Sequence, residues 1–343
     1  MKSRNLSIDA TRGLAIFTMI AANMAAYNLA EPHPFIFRLY GSFAAPSFVF
    51  LSGILVPYIQ KALNRNFLYF TKRGIATIVV AGLIDVFIWK LFPFSSFDVL
   101  YIIGISLIIN YIFCKINSWL HLIISLLFFI TSPFLQIYFG YADNPFEIAL
   151  SEDGLITNWF NGPTIKNFLI EGWFPIFPWL GVSLLGSFTG RTFFNGQVRF
   201  KQKILIYTGI IMMFLGIITW SITNPVLMTR SGYSELFYPP KICYFLTFLG
   251  FILFLISSIE KILPKFILDV LSVYGQSSLL MYIMHSFLIA FLFSENFPTL
   301  NFLNFLQLYL FHAMILWWMA KFLQLIKPYL KNSPFPIRFL LGT

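Results

Sequence analysis

About ten stretches of roughly twenty apolar residues, nearly free of charge, recur along this chain, and each is long enough to cross the hydrocarbon layer of a bilayer as a helix. No water is present there to bind backbone amides, so a crossing segment must satisfy its own hydrogen bonds. The runs also lack the period-two alternation of a β-barrel strand. Composition agrees, with 58% hydrophobic residues, 10% charged residues and a mean hydropathy of +0.79, outside the balance of a water-soluble domain. The sequence therefore predicts an all-α, polytopic integral membrane protein, a single domain over residues 1–343 built as one bundle of about ten transmembrane helices.

Apolar runs read against charge and Pro/Gly punctuation put the spans near 8–29, 43–62, 73–91, 98–115, 119–139, 172–190, 203–222, 240–259, 272–293 and 302–325. Orientation follows from the basic residues, because Lys and Arg resist translocation. One alternate set of loops holds Lys61, Arg65, Lys72, Arg73, Lys115, Arg191, Arg199, Lys201, Lys203, Lys261 and Lys327 among others. The other holds only Arg38, Lys90, Lys166, Arg230 and Lys241. Both termini are then expected in the cytoplasm, for a multi-pass protein of the plasma (inner) membrane. The same scatter accounts for the net charge of +10 without nucleic acid, which would need the basic residues gathered on one soluble face. The longest loop, about 140–171, carries Asp143, Glu147, Glu152, Asp153 and Glu171 against Lys166; it is expected outside, where it would cover an external site. The first apolar stretch carries Asp9 and Arg12 and reads as a retained span rather than a cleaved signal. Cys114 and Cys243 fall near opposite ends of different spans, a poor geometry for a disulfide.

Polar groups inside spans are costly and so are candidates for function. Asp9 and Arg12 sit three apart on one helical face; a local ion pair and a role in holding an anionic ligand both fit. Asn23 lies deeper on the same span, as interhelical glue or as an active-site amide. His33 follows in the short external segment Glu31-Pro32-His33-Pro34, where an imidazole can exchange protons or be acylated, though a surface-loop histidine is more often incidental. On the ninth span, Ser278, Tyr282 and His285 share one stripe that would line a polar cavity or make a satisfied helix contact. His121 and His312 read as interfacial, snorkelling groups. No His, Cys, Asp or Glu cluster has metal-ligand spacing, and no nucleophile elbow, P-loop or dinucleotide fingerprint occurs.

Five stretches, in order along most of the chain, carry a resemblance. They are Ser7-Ile8-Asp9-Ala10-Thr11-Arg12-Gly13-Leu14 with Asn23; His33 ahead of Ala45-Pro46-Ser47-Phe48 and Gly53; Phe97-Asp98-Val99-Leu100-Tyr101-Ile102-Ile103-Gly104; Phe174-Pro175-Ile176-Phe177-Pro178-Trp179-Leu180-Gly181; and Tyr274-Gly275 through His285. Together they resemble the bacterial relatives of the lysosomal heparan-α-glucosaminide N-acetyltransferase, within the wider transmembrane acyltransferase superfamily. The resemblance implies a membrane enzyme that takes an acetyl group from cytosolic acetyl-CoA and delivers it to an amino sugar or other glycan on the extracytoplasmic side. It places His33 at the catalytic histidine and Asn23 at an active-site asparagine beside it. One departure stands out: the lysosomal relatives carry an acidic residue a few positions before the Pro-Phe run, where this chain has Ser42-Phe43-Ala44.

Under that reading the CoA phosphates lie near Arg73 and the basic loops, drawn there by charge. The thioester reaches His33 and Asn23 through a channel in which Asp9, Arg12, Asp98, Ser278, Tyr282 and His285 are the binding candidates. No metal is called for, and the apolar span faces would admit a homodimer. The rival class is a secondary transporter or channel for a small polar or lipidic solute, with Asp9, Arg12, Asn23, Asp98 and His285 along its path. Transporters often show paired repeats with interrupted helices, and the sequence displays none. A non-catalytic anchoring protein is a third reading, with no feature in its favour.

Overall fold

A computed structural model describes residues 5–142, 146–161, 164–193, 202–225, 236–330 and 332–342. In chain order the helices are α1 (Leu6–Asn28), α2 (Phe35–Gly41), α3 (Ala44–Ala62), α4 (Phe67–Ile84), α5 (Val99–Phe113), α6 (Ser118–Phe139), α7 (Leu155–Asn161) and α8 (Thr164–Lys166). There follow α9 (Ile176–Phe193), α10 (Gln202–Thr223), α11 (Ile242–Ile262), α12 (Lys265–Gly275), α13 (Ser278–Leu288), α14 (Ser294–Asn296), α15 (Phe302–Ile326) and α16 (Phe335–Leu341). Wider π-turns continue α4 over Asp85–Trp89 and α13 over Ile289–Phe293. Among the described residues there is no strand, only two isolated bridges, Leu29 with Leu300 and Leu91 with Ala149. Asparagine starts several helices: Asn5, Asn66, Asn117 and Asn301 each accept a backbone N–H of the first turn, satisfying one of the orphan donors of a helix start.

Seven of these helical segments are long and apolar enough to cross a membrane, and eight if Thr164–Glu171 and Ile176–Thr192, bent by 47°, count as one span. The chain is thus an all-helical, multi-pass membrane protein. Two expected spans fall short for physical reasons. Helix α5 has 15 residues, about 22 Å at 1.5 Å per residue, less than the ~30 Å hydrocarbon layer. Helix α1 has 23 residues but carries Asp9, Thr11, Arg12, Thr18, Asn23 and Asn28, and fifteen of its residues are buried. The ninth expected span, 272–293, is corrected: it straddles a break at Gln276–Ser277, between α12 and α13. Interrupted helices therefore do occur. Within α9, Phe177 leaves the helical region (φ −99°, ψ 117°) ahead of Pro178, whose ring disfavours a helical residue before it.

The chain forms two compact units, one of Met1–Ser47, Gln202–Pro239 and Cys243–Thr343, the other of Phe48–Lys201 and Pro240–Ile242. In the first, α1 is the inner helix, packed on α12, α13, α15 and α2. Helix α10 is its opposite, burying Leu205, Gly209 and Gly216 while exposing Tyr207, Ile210, Ile211 and Phe214. In the second unit, α6 is amphipathic in the reverse sense to a soluble helix: His121, Ser125, Phe129, Ser132 and Gln136 are buried on one stripe, and Ile123, Leu127, Ile130, Phe134 and Ile137 face out. Polar groups turned inward and aliphatic ones outward suit a helix whose solvent is lipid.

Glycines set the closest crossings. Gly74 of α4 and Gly104 of α5 each face the other's carbonyl, as do Gly209 of α10 and Gly250 of α11, and Gly186 and Gly190 of α9 seat on the backbone of α3 at Phe50 and Ile54. Small residues let backbones approach closely where lipid supplies no hydrophobic drive for helix pairing.

Candidate functional site in the first unit

The polar groups of the first unit gather along α1. Near its start the Arg12 guanidinium donates to the Ser278 hydroxyl at the head of α13. About three turns on, the Asn23 side-chain amide lies 2.9 Å from His285 Nε2. At its far end the Asn28 amide donates to the Phe293 and Phe297 carbonyls at 3.1 and 3.0 Å. His33 follows in the turn before α2, half-buried between exposed Pro32 and Pro34.

Bond partners fix the imidazole tautomers, since a carbonyl only accepts. His33 Nε2 is 3.1 Å from the Leu29 carbonyl, so Nε2 is the donor of that bond. In fully buried His285, Nδ1 donates to the Tyr282 carbonyl, which leaves Nε2 to accept from Asn23. Asn23 itself is half-buried, with its amide oxygen and second N–H oriented by that bond. Tyr282 packs edge-on against His285, with ring centroids 5.1 Å apart.

Candidate residues named separately from the sequence thus meet in one unit: Arg12 with Ser278, Asn23 with His285, and Tyr282 with His285. Asn23 makes its bond with His285, 262 residues away, and His33 makes its bond with Leu29. Asp9 is buried, its backbone carbonyl against Gly275.

His312 corrects the interfacial expectation: it is fully buried mid-helix, stacked on Phe293 at 4.6 Å, with Nδ1 3.0 Å from the Met24 sulfur. His121 is fully buried as well, against Phe113 and Phe188. Sequence reasoning also passed over Tyr40 and Tyr309, whose hydroxyls meet at 2.9 Å while Tyr309 donates to the Phe17 carbonyl of α1.

The remaining candidates belong to the second unit. Arg73 lies over the Tyr69 ring, 5.7 Å from its centroid. Asp98 caps α5, accepting the Val99 N–H at 2.6 Å. Asp85, not singled out from sequence although a carboxylate within an apolar run is a signal in itself, is buried and accepts from Tyr101 Oη at 2.5 Å and Ser96 Oγ at 3.3 Å. Tyr101→Phe should cost about 1–3 kcal/mol of stability by stripping a buried carboxylate of its best donor, measured as a lowered melting temperature in detergent. In the loop expected to cover an external site, Glu171 is buried and pairs with Lys166 at 3.0 Å, Glu147 accepts from Trp173 Nε1 at 2.6 Å, and Glu152 accepts from the Ala149 N–H; Asp143 lies outside the described residues. No group of three or more His, Cys, Asp or Glu among the described residues is placed to hold a metal ion.

No match is found among curated proteins. Residues 4–223 match the model of the family described as heparan-alpha-glucosaminide N-acetyltransferase, catalytic. That stretch is well over half of the chain and takes in α1 with Arg12 and Asn23, the His33 turn, and Arg73 and Asp98. The chain belongs to the heparan-α-glucosaminide N-acetyltransferase catalytic family.

Proposed function

We propose that this protein moves an acetyl group from cytosolic acetyl-CoA to an amino sugar or other glycan on the extracytoplasmic side of a plasma (inner) membrane. Family membership supplies the general reaction, acyl transfer by a membrane protein, and acetyl-CoA is the donor that enzymes of this kind use. The observation that carries the finer reading is the layout of α1: a cation near its start, an amide held by a buried imidazole eleven residues on, and His33 just past its end. In this reading about ten helical passes form one functional domain with both termini in the cytoplasm, and homodimerisation is compatible with the apolar outer faces.

The chemistry follows from the bonds described. Nδ1 of His33 takes the proton of the acceptor amine or hydroxyl, or attacks the thioester carbonyl to give a transient acetyl-imidazole; CoA leaves as the thiol in either case. Asn23 donates its second amide N–H to the tetrahedral oxyanion, and the bond to His285 holds that amide in place, an effect of up to about 3–4 kcal/mol for a preorganised donor. Arg73 and the basic loops attract the donor's phosphates, while Asp9, Arg12, Asp98, Ser278 and Tyr282 serve donor binding and passage. The family's acidic position is Ser42-Phe43-Ala44 in this chain, and there Ser42 is occupied structurally: its hydroxyl accepts the Leu236 N–H and its carbonyl accepts from Tyr244. Any role that a carboxylate plays at that position in the lysosomal relatives falls to another residue here, or is absent.

Purified protein supplied with acetyl-CoA and glucosamine should release free thiol in step with acetylated acceptor; no thiol release over a protein-free control would end the enzymatic reading. The interrupted α12–α13 helix gives the transporter reading one observation of its own, since broken helices are common in transporter binding sites. Solute accumulation in proteoliposomes without thiol release would favour it.

A further inference from the structure

We propose that the break between α12 and α13 is an anion site that holds the phosphate end of the acyl donor, an inference that rests on the donor reading above. Helix α12 ends at Gly275 and α13 begins at Ser278, so Gln276 and Ser277 form a two-residue interruption. The first backbone bond into α13 runs from the Met281 N–H to the Ser277 carbonyl. Ahead of it lie the orphan N–H groups of a helix start and the positive end of an eleven-residue helix.

The residue at that N-cap is a serine that does not cap. The Ser277 side chain makes no bond to the α13 backbone, and its Oγ is buried without any partner, the residue being 2% exposed. A buried hydroxyl at the mouth of a helix dipole is a donor waiting for an acceptor.

Two cations converge on the same three residues. Arg12 of α1 donates to Ser278 Oγ, and Lys327 Nζ, just past α15, donates to the Gln276 carbonyl at 2.8 Å, with Gln324 bonded to the Gln276 side chain at 3.0 Å. Arg12, Gln276 and Lys327 are half-buried, so the break opens on one side, while Ser277 and Ser278 form its inner wall. Asp9, one turn from Arg12, offsets one of the two positive charges. A guanidinium fork, an ammonium, a hydroxyl and backbone amides arriving from three helices suit the several oxygens of a phosphate better than the two of a carboxylate.

Spacing links this site to the proposed chemistry. From Arg12 to Asn23 is eleven residues of helix, about 17 Å at 1.5 Å per residue. That is comparable to an extended pantetheine arm, so a donor anchored by phosphate at the break presents its thioester beside the Asn23 amide.

The test is calorimetric titration of CoA and of pantetheine, which lacks the phosphates, into full-length protein in nanodiscs. Arg12→Gln and Lys327→Gln should each weaken CoA binding by about tenfold and leave pantetheine binding unchanged. Ser277→Ala, which removes a hydroxyl that bonds to nothing in the protein, should weaken CoA about threefold without altering the melting temperature, and it carries the test if the charge variants fail to fold. Unchanged CoA affinity in all three variants would overturn the site, as it would if the phosphate held there came from a lipid headgroup. Equal weakening of CoA and pantetheine would also overturn it, as the mark of a merely structural role. Wild-type protein that binds no CoA at all would instead sink the donor reading beneath it.

Discussion

Replacing His33 with alanine is expected to lower acetyl transfer by about 10²–10⁴-fold, the usual contribution of a positioned acid–base group, while CoA binding and melting temperature stay at wild-type values. The reason for expecting so little structural damage lies in its surroundings. His33 is half-buried in a turn flanked by exposed prolines, and its Nε2 bond to the Leu29 carbonyl is local, four residues back in the chain. Loss of that bond removes one local contact, to the carbonyl of buried Leu29. His33→Gln separates the possible roles: a glutamine amide can restore the bond to Leu29 but neither takes a proton nor forms an acyl intermediate. Equal loss in both variants supports chemistry at the ring, whereas recovery in His33→Gln would reduce His33 to a spacer. Acetyl transfer at wild-type rate in purified His33→Ala protein would remove His33 from the mechanism altogether.

The class of fold was legible because hydropathy measures transfer from water to lipid, and the apolar runs report that transfer directly. Of the ten expected spans, seven or eight correspond to helical segments long and apolar enough to cross a membrane; boundaries and interruptions depend on something hydropathy does not measure, the neighbour each residue meets. The polar stretch Gly275-Gln276-Ser277-Ser278 reads as the start of a span until Lys327 and Arg12, from helices far along the chain, are seen to hold it as a break. Asn23 was legible as costly, and so was the stripe through His285, but their pairing joins residues 262 apart and has no local trace. His312 was misread for a related reason. Its place in the middle of α15 signals burial, and what makes burial tolerable is a face of Phe293 and a sulfur from Met24, both supplied by other helices. Asp85 carried the plainest signal of all, a carboxylate in an apolar run, and its donors Tyr101 and Ser96 stand only eleven to sixteen residues further on.

Substituting the glycines of the α1–α12 crossing should be the most destabilising small change in the first unit. A Cβ on Gly13 would sit against the backbone carbonyl of Leu271, and one on Gly275 against that of Asp9, in each case far inside van der Waals contact. The obstacle is backbone rather than the tip of a flexible side chain, so relief requires the two helices to move apart. Overpacking of this kind costs about 1–3 kcal/mol, and Gly13→Ala and Gly275→Ala belong at the upper end. Gly82→Ala on α4 is the matched control, because a Cβ there meets only ordinary contacts with Pro93 and Tyr101; loss of a helical glycine should leave stability unchanged or raise it by up to about 1 kcal/mol. Melting temperatures of the three variants that fell together would show that the crossing gives way easily. Function should follow packing in this pair, because α1 carries Arg12 and Asn23 while α12 leads directly into the break and α13, which carries Ser278 and His285. A separation of α1 from α12 therefore stretches both bonds at once, and the glycine variants should lose thiol release even at temperatures where they remain folded, whereas Gly82→Ala keeps it.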